Sequence, residues 1–294
     1  MAAETRDISM RKLFIFLLTA TMIAVGASAQ KEPDNFALVK GGNFINKKST
    51  NYYGKSITVS SFYIGKYEVT QKEWIEVMGS NPSKFKGDNL PVEMVTWYDC
   101  VDYCDKRSVK EGLKSYYNID RDKKDSSNTN DTDDIKWMVT INAGANGWRL
   151  PTEVEWEYAA GGGQASKSYT YSGGNDIDKV AWYWKNSGDK DLTGFWFWPT
   201  IEKNNCKTRP VGGKEPNELG LYDMSGNARE WCWDWYGDVE GKGTDPKGNS
   251  SGSLRVWKGG GWIGGDFCCE CSFRGSFEAN GSGPDQGLRV CRSK

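Results

Sequence analysis

The chain has 294 residues, 37% hydrophobic and 26% charged, with a formal net charge of −1; this suits a globular protein of one large or two small domains and gives no whole-chain electrostatic footprint for nucleic acid or anionic lipid. Histidine is absent, which removes Ser-His-Asp and Cys-His nucleophiles, imidazole zinc sites and a histidine acid or base near neutral pH. The 14 Trp, 14 Tyr and 35 Gly predict a loop-rich fold in which aromatic side chains staple irregular backbone.

Residues 1–29 read as a signal peptide with an upstream extension. Met10 is followed by Arg11 and Lys12, an apolar run from Leu13 to Val25, and a small-residue site at Ala27-Ser28-Ala29. The run is shorter than the roughly 20 residues that span a bilayer, so no membrane span is expected in the mature chain. This places the protein outside the cell or on its surface. No cysteine stands near the cut to carry a lipid anchor.

The mature chain, residues 30–294, opens with strand-like segments carrying Ile57, Val59, Phe62 and Ile64. Thr70 followed by Glu73 has the form of a capping box, and Val69, Trp74, Val77 and Met78 give an apolar helical face, so a helix is predicted over Gln71–Met78. A second helix of similar length follows a Thr96 cap. It carries Cys100 and Cys104 one turn apart, too few donors for a four-ligand metal site without histidine; core thiols or a disulfide partner fit better. The Asp-rich stretch 120–134 lacks the spacing of a calcium loop and reads as a solvated hairpin insertion. Thr152 and Glu155 start a third helix, in which Glu153, Glu155 and Glu157 serve the helix dipole better than acid–base chemistry.

The segments YEVTQKEW (67–74), PVEMVTWYDC (91–100), WRLPTEVEWEYAA (148–160), PNELGLYDMSGNAREW (216–231), RVWKGGGW (255–262) and GLRVCRS (287–293) resemble the formylglycine-generating enzyme, or sulfatase-modifying factor, family over Phe36 to Ser293. The resemblance implies an α+β, C-type-lectin-like fold: two main helices on a small twisted antiparallel sheet, with extensive irregular structure. It also implies a calcium-binding element, carried over to Asn227 and Glu230; read from the residues alone, Asn227 caps a turn and Glu230 pairs with an arginine. The family's oxidases use two cysteines five residues apart, with copper and dioxygen. Here the first position falls on Cys269 and the second on Arg274. The pair is broken, which counts against an oxidase and leaves Cys269 as its reactive thiol only if one operates.

Residues 255–294 hold two strand-like pieces, LRVW and GLRVC, around a stretch with no apolar period from Ile263 to Gly283. Of those 21 residues, 19 are of types encoded by codons ending in C, the exceptions being Glu270 and Glu278. This resembles the variable region of diversity-generating retroelement proteins, which share the lectin-like fold. Trp257, Trp262 and Leu288 would anchor a frame around a replaceable ligand surface. That surface is assigned to Ile263, Gly264, Gly265, Asp266 and Phe267 at its start, to Cys269, Cys271, Phe273, Gly275, Ser276 and Phe277 across its middle, and to Ala279, Gly281, Ser282 and Asp285 at its end. Three phenylalanines as apolar anchors, ringed by Asp266, Glu270, Arg274 and Glu278, point to a protein ligand rather than a sugar. Eight cysteines, at 100, 104, 206, 232, 268, 269, 271 and 291, would meet an oxidising compartment after export, and sequence does not set their pairing. The leading expectation is a non-catalytic, surface-displayed ligand-binding protein. Its rivals are a formylglycine-generating oxidase and an exported structural or regulatory module without a dedicated ligand site.

Overall fold

The computed structural model describes residues 34–45, 56–238 and 243–294. The expected signal peptide lies outside them. Each main helix starts at a threonine whose hydroxyl accepts the backbone N–H three residues on, while the acidic side chain there accepts from the threonine N–H. Thr70 and Glu73 do this for α1 (Gln71–Met78), Thr96 and Asp99 for α2 (Trp97–Lys110), and Thr152 and Glu155 for α3 (Glu153–Ala160). Two short helices follow, α4 (Ile177–Val180) and α5 (Trp198–Lys203). α1 ends on Gly79, whose φ of 81° is the left-handed conformation open to glycine.

α1 has the bounds expected. α2 does not: it runs 14 residues against 8, because its buried face continues through Tyr103, Cys104 and Ser108. Trp74 of α1 stacks on Tyr103 of α2 with ring centroids 5.0 Å apart. Cys100 and Cys104 lie fully buried in the same core as free thiols. No helix among the described residues is long and apolar enough to cross a membrane.

The strands are short: β1 (Phe36–Val39), β2 (Gly42–Ile45), β3 (Ser56–Val59) and β4 (Phe62–Gly65), then β5 (Tyr117–Lys124) and β6 (Trp137–Ile141), then β7 (Arg229–Trp235), β8 (Gly243–Thr244), β9 (Arg255–Lys258), β10 (Gly275–Phe277), β11 (Gln286–Gly287) and β12 (Cys291–Ser293). They form several small sheets, in the orders β1-β4-β12, β10-β9-β7-β11, β2-β3-β8 and β5-β6. The single antiparallel sheet expected is thus divided, and β11–β7 and β3–β8 pair in parallel. The fold is α+β with few helices, as expected.

Two local expectations need correction. The stretch 120–134 spans the end of β5 and the connection toward β6, a hairpin as expected, but its tip is not wholly solvated. Asn128, Asn130 and Asp133 turn inward, where Tyr98 Oη and Asn128 Nδ2 donate to Asp133 at 2.9 and 2.7 Å. These side chains cap their own turns and tie the insertion to the core. The segment GLRVC is two strands rather than one, with β11 beside β7 in one sheet and β12 beside β4 in another.

The three glutamates of α3 have structural partners. Glu155 meets Arg149 at 2.6 Å, Glu157 meets Lys258 at 3.1 Å, and Glu153 meets Arg274 at 2.6 Å. They point to separate cations, so no carboxylate pair is assembled.

Candidate ligand-binding surface

The foundation of the C-terminal region is the four-stranded sheet β10-β9-β7-β11. β9 pairs antiparallel with β7 and with β10, placing Gly275 opposite Trp257 and Phe277 opposite Arg255. All four residues of β9 are buried, as are Trp262 and Leu288. Trp262 is fixed from both sides: its backbone N–H donates to the Asn227 carbonyl at 2.9 Å and its indole to the Pro284 carbonyl at 2.8 Å. The residues read as a frame are thus a frame.

Between them the backbone is more regular than its lack of periodicity predicts. Asp266–Cys269 forms a 3-10 turn and Gly275–Phe277 a strand. The assigned side chains divide by burial. Asp266 and Phe267 are exposed, Phe267 at 59%; Ile263, Gly265, Phe273, Ser276, Phe277, Gly281 and Ser282 are half-buried. Phe267 packs edge-on against Phe273 at 5.5 Å, Phe273 leans on Trp257 at 5.6 Å, and Phe277 stacks on Trp231 at 6.2 Å. A graded aromatic ramp therefore runs from solvent into the core.

Gly264, Cys269, Cys271, Gly275, Ala279 and Asp285 are buried, which corrects their assignment to a contact surface. Cys269 packs with Ala181, Tyr183, Trp184 and Trp262, and its carbonyl accepts from Ser225 Oγ at 2.7 Å. Cys271 belongs to the core around Val154, Trp156 and Ala160. A Cβ on Gly275 would lie 2.0 Å from the Trp257 ring, so this position admits no side chain. Asp285 faces Arg229 at 3.1 Å; burial pushes its carboxyl up and the guanidinium opposes that. A loop of small residues gives no sign in sequence of which of its members turn inward.

Arg274, read as part of the polar rim, is a clamp. Its guanidinium grips Glu153 through Nε and Nη2 at 2.6 and 2.7 Å, donates through Nη1 to the Gly237 carbonyl, and lies 4.6 Å from the Tyr236 ring centroid. Copper held by two converging thiolates does not fit here: the second sulfur position is this arginine, and burial keeps the Cys269 thiol far above its ordinary pKa and hence protonated.

Calcium at Asn227 and Glu230 does not fit either. Glu230 is fully buried; Arg289 Nε donates to both its oxygens at 3.0 Å, and Trp156 Nε1 donates to Oε2 at 2.6 Å. Asn227 gives its amide N–H to Glu68 at 2.6 Å and accepts the Arg209 backbone N–H at 2.8 Å. Arg289 supplies the positive charge a cation would bring, so the turn-and-arginine reading describes this element. Asp223 and Glu68, close to the same arginine, are pushed up chiefly by burial, Asp223 to about 6. Among the described residues no three Cys, Asp or Glu side chains converge as a metal site.

One contributor lies outside the C-terminal region. Trp196 donates its indole N–H to the Ile263 carbonyl at 2.8 Å, and Trp198 lies 6.4 Å from Trp262. The consecutive aromatics Phe195-Trp196-Phe197-Trp198 were the available signal, since no buried element accounts for such a run.

A sulfatase-modifying factor enzyme 1-like domain matches residues 22–294. The chain belongs to that family. This sulfatase-modifying-factor-like chain is 55% identical to the chaperone protein LppX of Paenibacillus barcinonensis over 289 residues, 97% of this chain and all of that protein. It is 35% identical to the formylglycine-generating enzyme of Streptomyces coelicolor over 144 residues, covering 46% of this chain and 43% of that enzyme. Among solved structures it superposes on Treponema denticola variable protein 1 with a TM-score of 0.73 and 32% identity, covering 88% of this chain and 95% of that one. The likeness to CarF, with a TM-score of 0.64 at 24% identity over 89% of this chain and 99% of that one, shows the shared fold. The family, the fold and the resemblance to variable proteins thus stand as expected from the motifs.

Proposed function

We propose that this chain is an exported, non-catalytic ligand-binding protein whose contact surface is the outward-facing part of residues 263–284. The observation that carries this reading is the ramp Phe267–Phe273–Trp257: a 59% exposed phenylalanine standing on half-buried and then buried aromatics. Such a set is an apolar anchor on a rigid base, the arrangement that dominates protein–protein hot spots. The contacts are Ile263, Gly265, Asp266, Phe267, Phe273, Ser276, Phe277, Gly281 and Ser282, with Trp196 beside them, and the ligand is a protein. The likeness to a variable protein supports diversification of these positions by a retroelement, and the name of the Paenibacillus relative is compatible with an apolar protein-binding surface.

Two tests separate the parts of this reading. Phage-displayed peptides selected on the wild-type protein should lose at least tenfold in affinity on Phe267→Ser with Phe273→Ser, as expected for truncating anchor residues; unchanged affinity refutes this surface. Sequencing the locus should reveal a reverse transcriptase and a near-copy of the 263–286 coding segment that differs at adenines. A locus with neither refutes diversification and leaves binding standing.

A further inference from the structure

Phe195, Trp196, Phe197 and Trp198 are exposed by 96, 50, 59 and 36%. They form an exposed turn that follows Gly194, where an added Cβ would meet nothing within 4 Å, and leads into α5 at Trp198. Four consecutive aromatics in water are costly, and the tilted contact with Trp262 leaves Trp198 36% exposed.

A groove of about 570 Å³ lies nearby, lined in part by Phe85, which meets Trp262 edge-on at 5.5 Å. Lys84, Lys86, Lys207 and Arg209 line it, against Asp88 as its carboxylate. Arg209 is engaged with the carbonyls of Ser187 and Gly188 and Lys86 with the carbonyl of Asn81 at 2.9 Å, while all three lysines are exposed at their positions. Charges near the aromatic turn in sequence are mixed, Asp189, Asp191 and Glu202 with Lys190 and Lys203, and Asp189 and Glu202 line a smaller pocket with Lys84, Lys207, Trp198 and Trp262. The excess of cations therefore sits in the groove, and the net charge of −1 over the whole chain conceals it.

We propose that the 195–198 turn and the lysine groove together form a docking face for an anionic lipid bilayer, with the aromatic rings entering the interface while Lys84, Lys86 and Lys207 meet phosphate headgroups. Tryptophan and phenylalanine favour the headgroup boundary, and basic residues near an anionic surface add attraction that falls with salt. An exposed tip with a cationic shelf beside it suits a soft, negatively charged plane. A protein partner would need a matching pocket for the tip. This face adjoins the 263–284 surface through Trp196, whose indole bonds the Ile263 carbonyl, and does not rest on that surface's ligand.

The test uses the full chain and vesicles of phosphatidylcholine with and without phosphatidylglycerol. Residues 1–33 contain no tryptophan, so indole emission is blind to the apolar run at Leu13 to Val25. With brominated phosphatidylglycerol vesicles, part of the tryptophan emission is expected to be quenched. Trp196→Phe with Trp198→Phe should remove that quenched fraction, and Phe195→Ser with Phe197→Ser should abolish quenching while the thermal midpoint stays unchanged. Replacing Lys84, Lys86 and Lys207 by glutamine should weaken partitioning about a hundredfold, on the order of the attraction of three basic residues at an anionic surface. Absence of quenching at every phosphatidylglycerol fraction overturns the proposal. So does quenching that persists in the tryptophan pair variant, or a turn that is protected by a co-purified protein and ignores vesicles.

Discussion

The ion pair at the heart of the frame gives the most discriminating prediction. Arg289 and Glu230 are both fully buried, and the guanidinium is spent on Glu230, on the Gly65 carbonyl at 2.9 Å and on the Tyr222 carbonyl at 2.8 Å. Arg289→Met leaves a carboxylate stranded in the interior with Glu68 and Asp223 as like-charged neighbours. Breaking one side of a buried pair costs about 3–5 kcal/mol. In urea, with a slope of about 2–3 kcal/mol per molar for a chain of this size, the midpoint should fall by about 1–2.5 M with the slope unchanged. Arg289→Met combined with Glu230→Leu removes both charges and should recover most of the loss, because the cost lies in the unpaired charge rather than in the missing contact. Because Arg289 occupies the position of a cation, millimolar calcium should leave the wild-type midpoint unmoved. A single variant costing less than about 1 kcal/mol, a double variant as weak as the single, or a calcium-dependent rise that Glu230→Gln abolishes would refute this assignment.

Further outcomes follow from the same geometry. Arg274→Cys restores the five-residue spacing of the oxidase cysteines yet strands Glu153 beside Asp234; it should lower stability by about 3 kcal/mol in urea melts and yield no aldehyde on a cysteine peptide supplied with copper and oxygen. Phe267→Asp should change stability by less than about 0.5 kcal/mol, whereas Cys269→Asp places a charge in a closed core and should cost about 3 kcal/mol or more, as read from paired thermal melts. Burial and the Glu153 charge raise Asp234 to about 8, and burial raises Glu157 to about 7 against the opposing Lys258. Both folded pKa values exceed the unfolded ones, so the native state binds more protons between about pH 4 and 8, and stability falls as pH rises through that window. Asp234→Asn should accordingly stabilise the protein by about 1–3 kcal/mol at pH 9 and leave it unchanged near pH 4; an equal effect at both pH values would contradict the assignment.

The parts of the fold that sequence discloses are those set by local chemistry. Thr70, Thr96 and Thr152 each announce a helix because a hydroxyl and an acid three residues apart satisfy backbone donors without help from the rest of the chain. Trp257 and Trp262 announce the frame because large aromatics beside glycines have few other uses. What escapes is set by distant partners. Nothing near Glu153 in sequence points to Arg274, 121 residues away, and nothing near Glu230 points to Arg289. Cys269, Cys271 and Gly275 look interchangeable with their exposed neighbours because small residues carry little hydrophobic signal; only the closeness of Trp257 and Ser225 reveals them as interior. Local charge escaped for a related reason, since Lys84, Lys86 and Lys207 come together through the fold.

The last strand has a consequence for how this surface can change. β12 pairs with β4, and the Cys291 backbone also exchanges hydrogen bonds with Arg149, at 2.8 and 2.9 Å, so residues 291–293 close the first sheet. Any alteration upstream between 263 and 284 that shifts the reading frame or inserts a stop also deletes this closing strand. The sheet edge at β4 then stays open, and the product cannot complete its core. Under the proposed binding role, folding itself thus acts as a proofreader of the region, passing substitutions and discarding truncations.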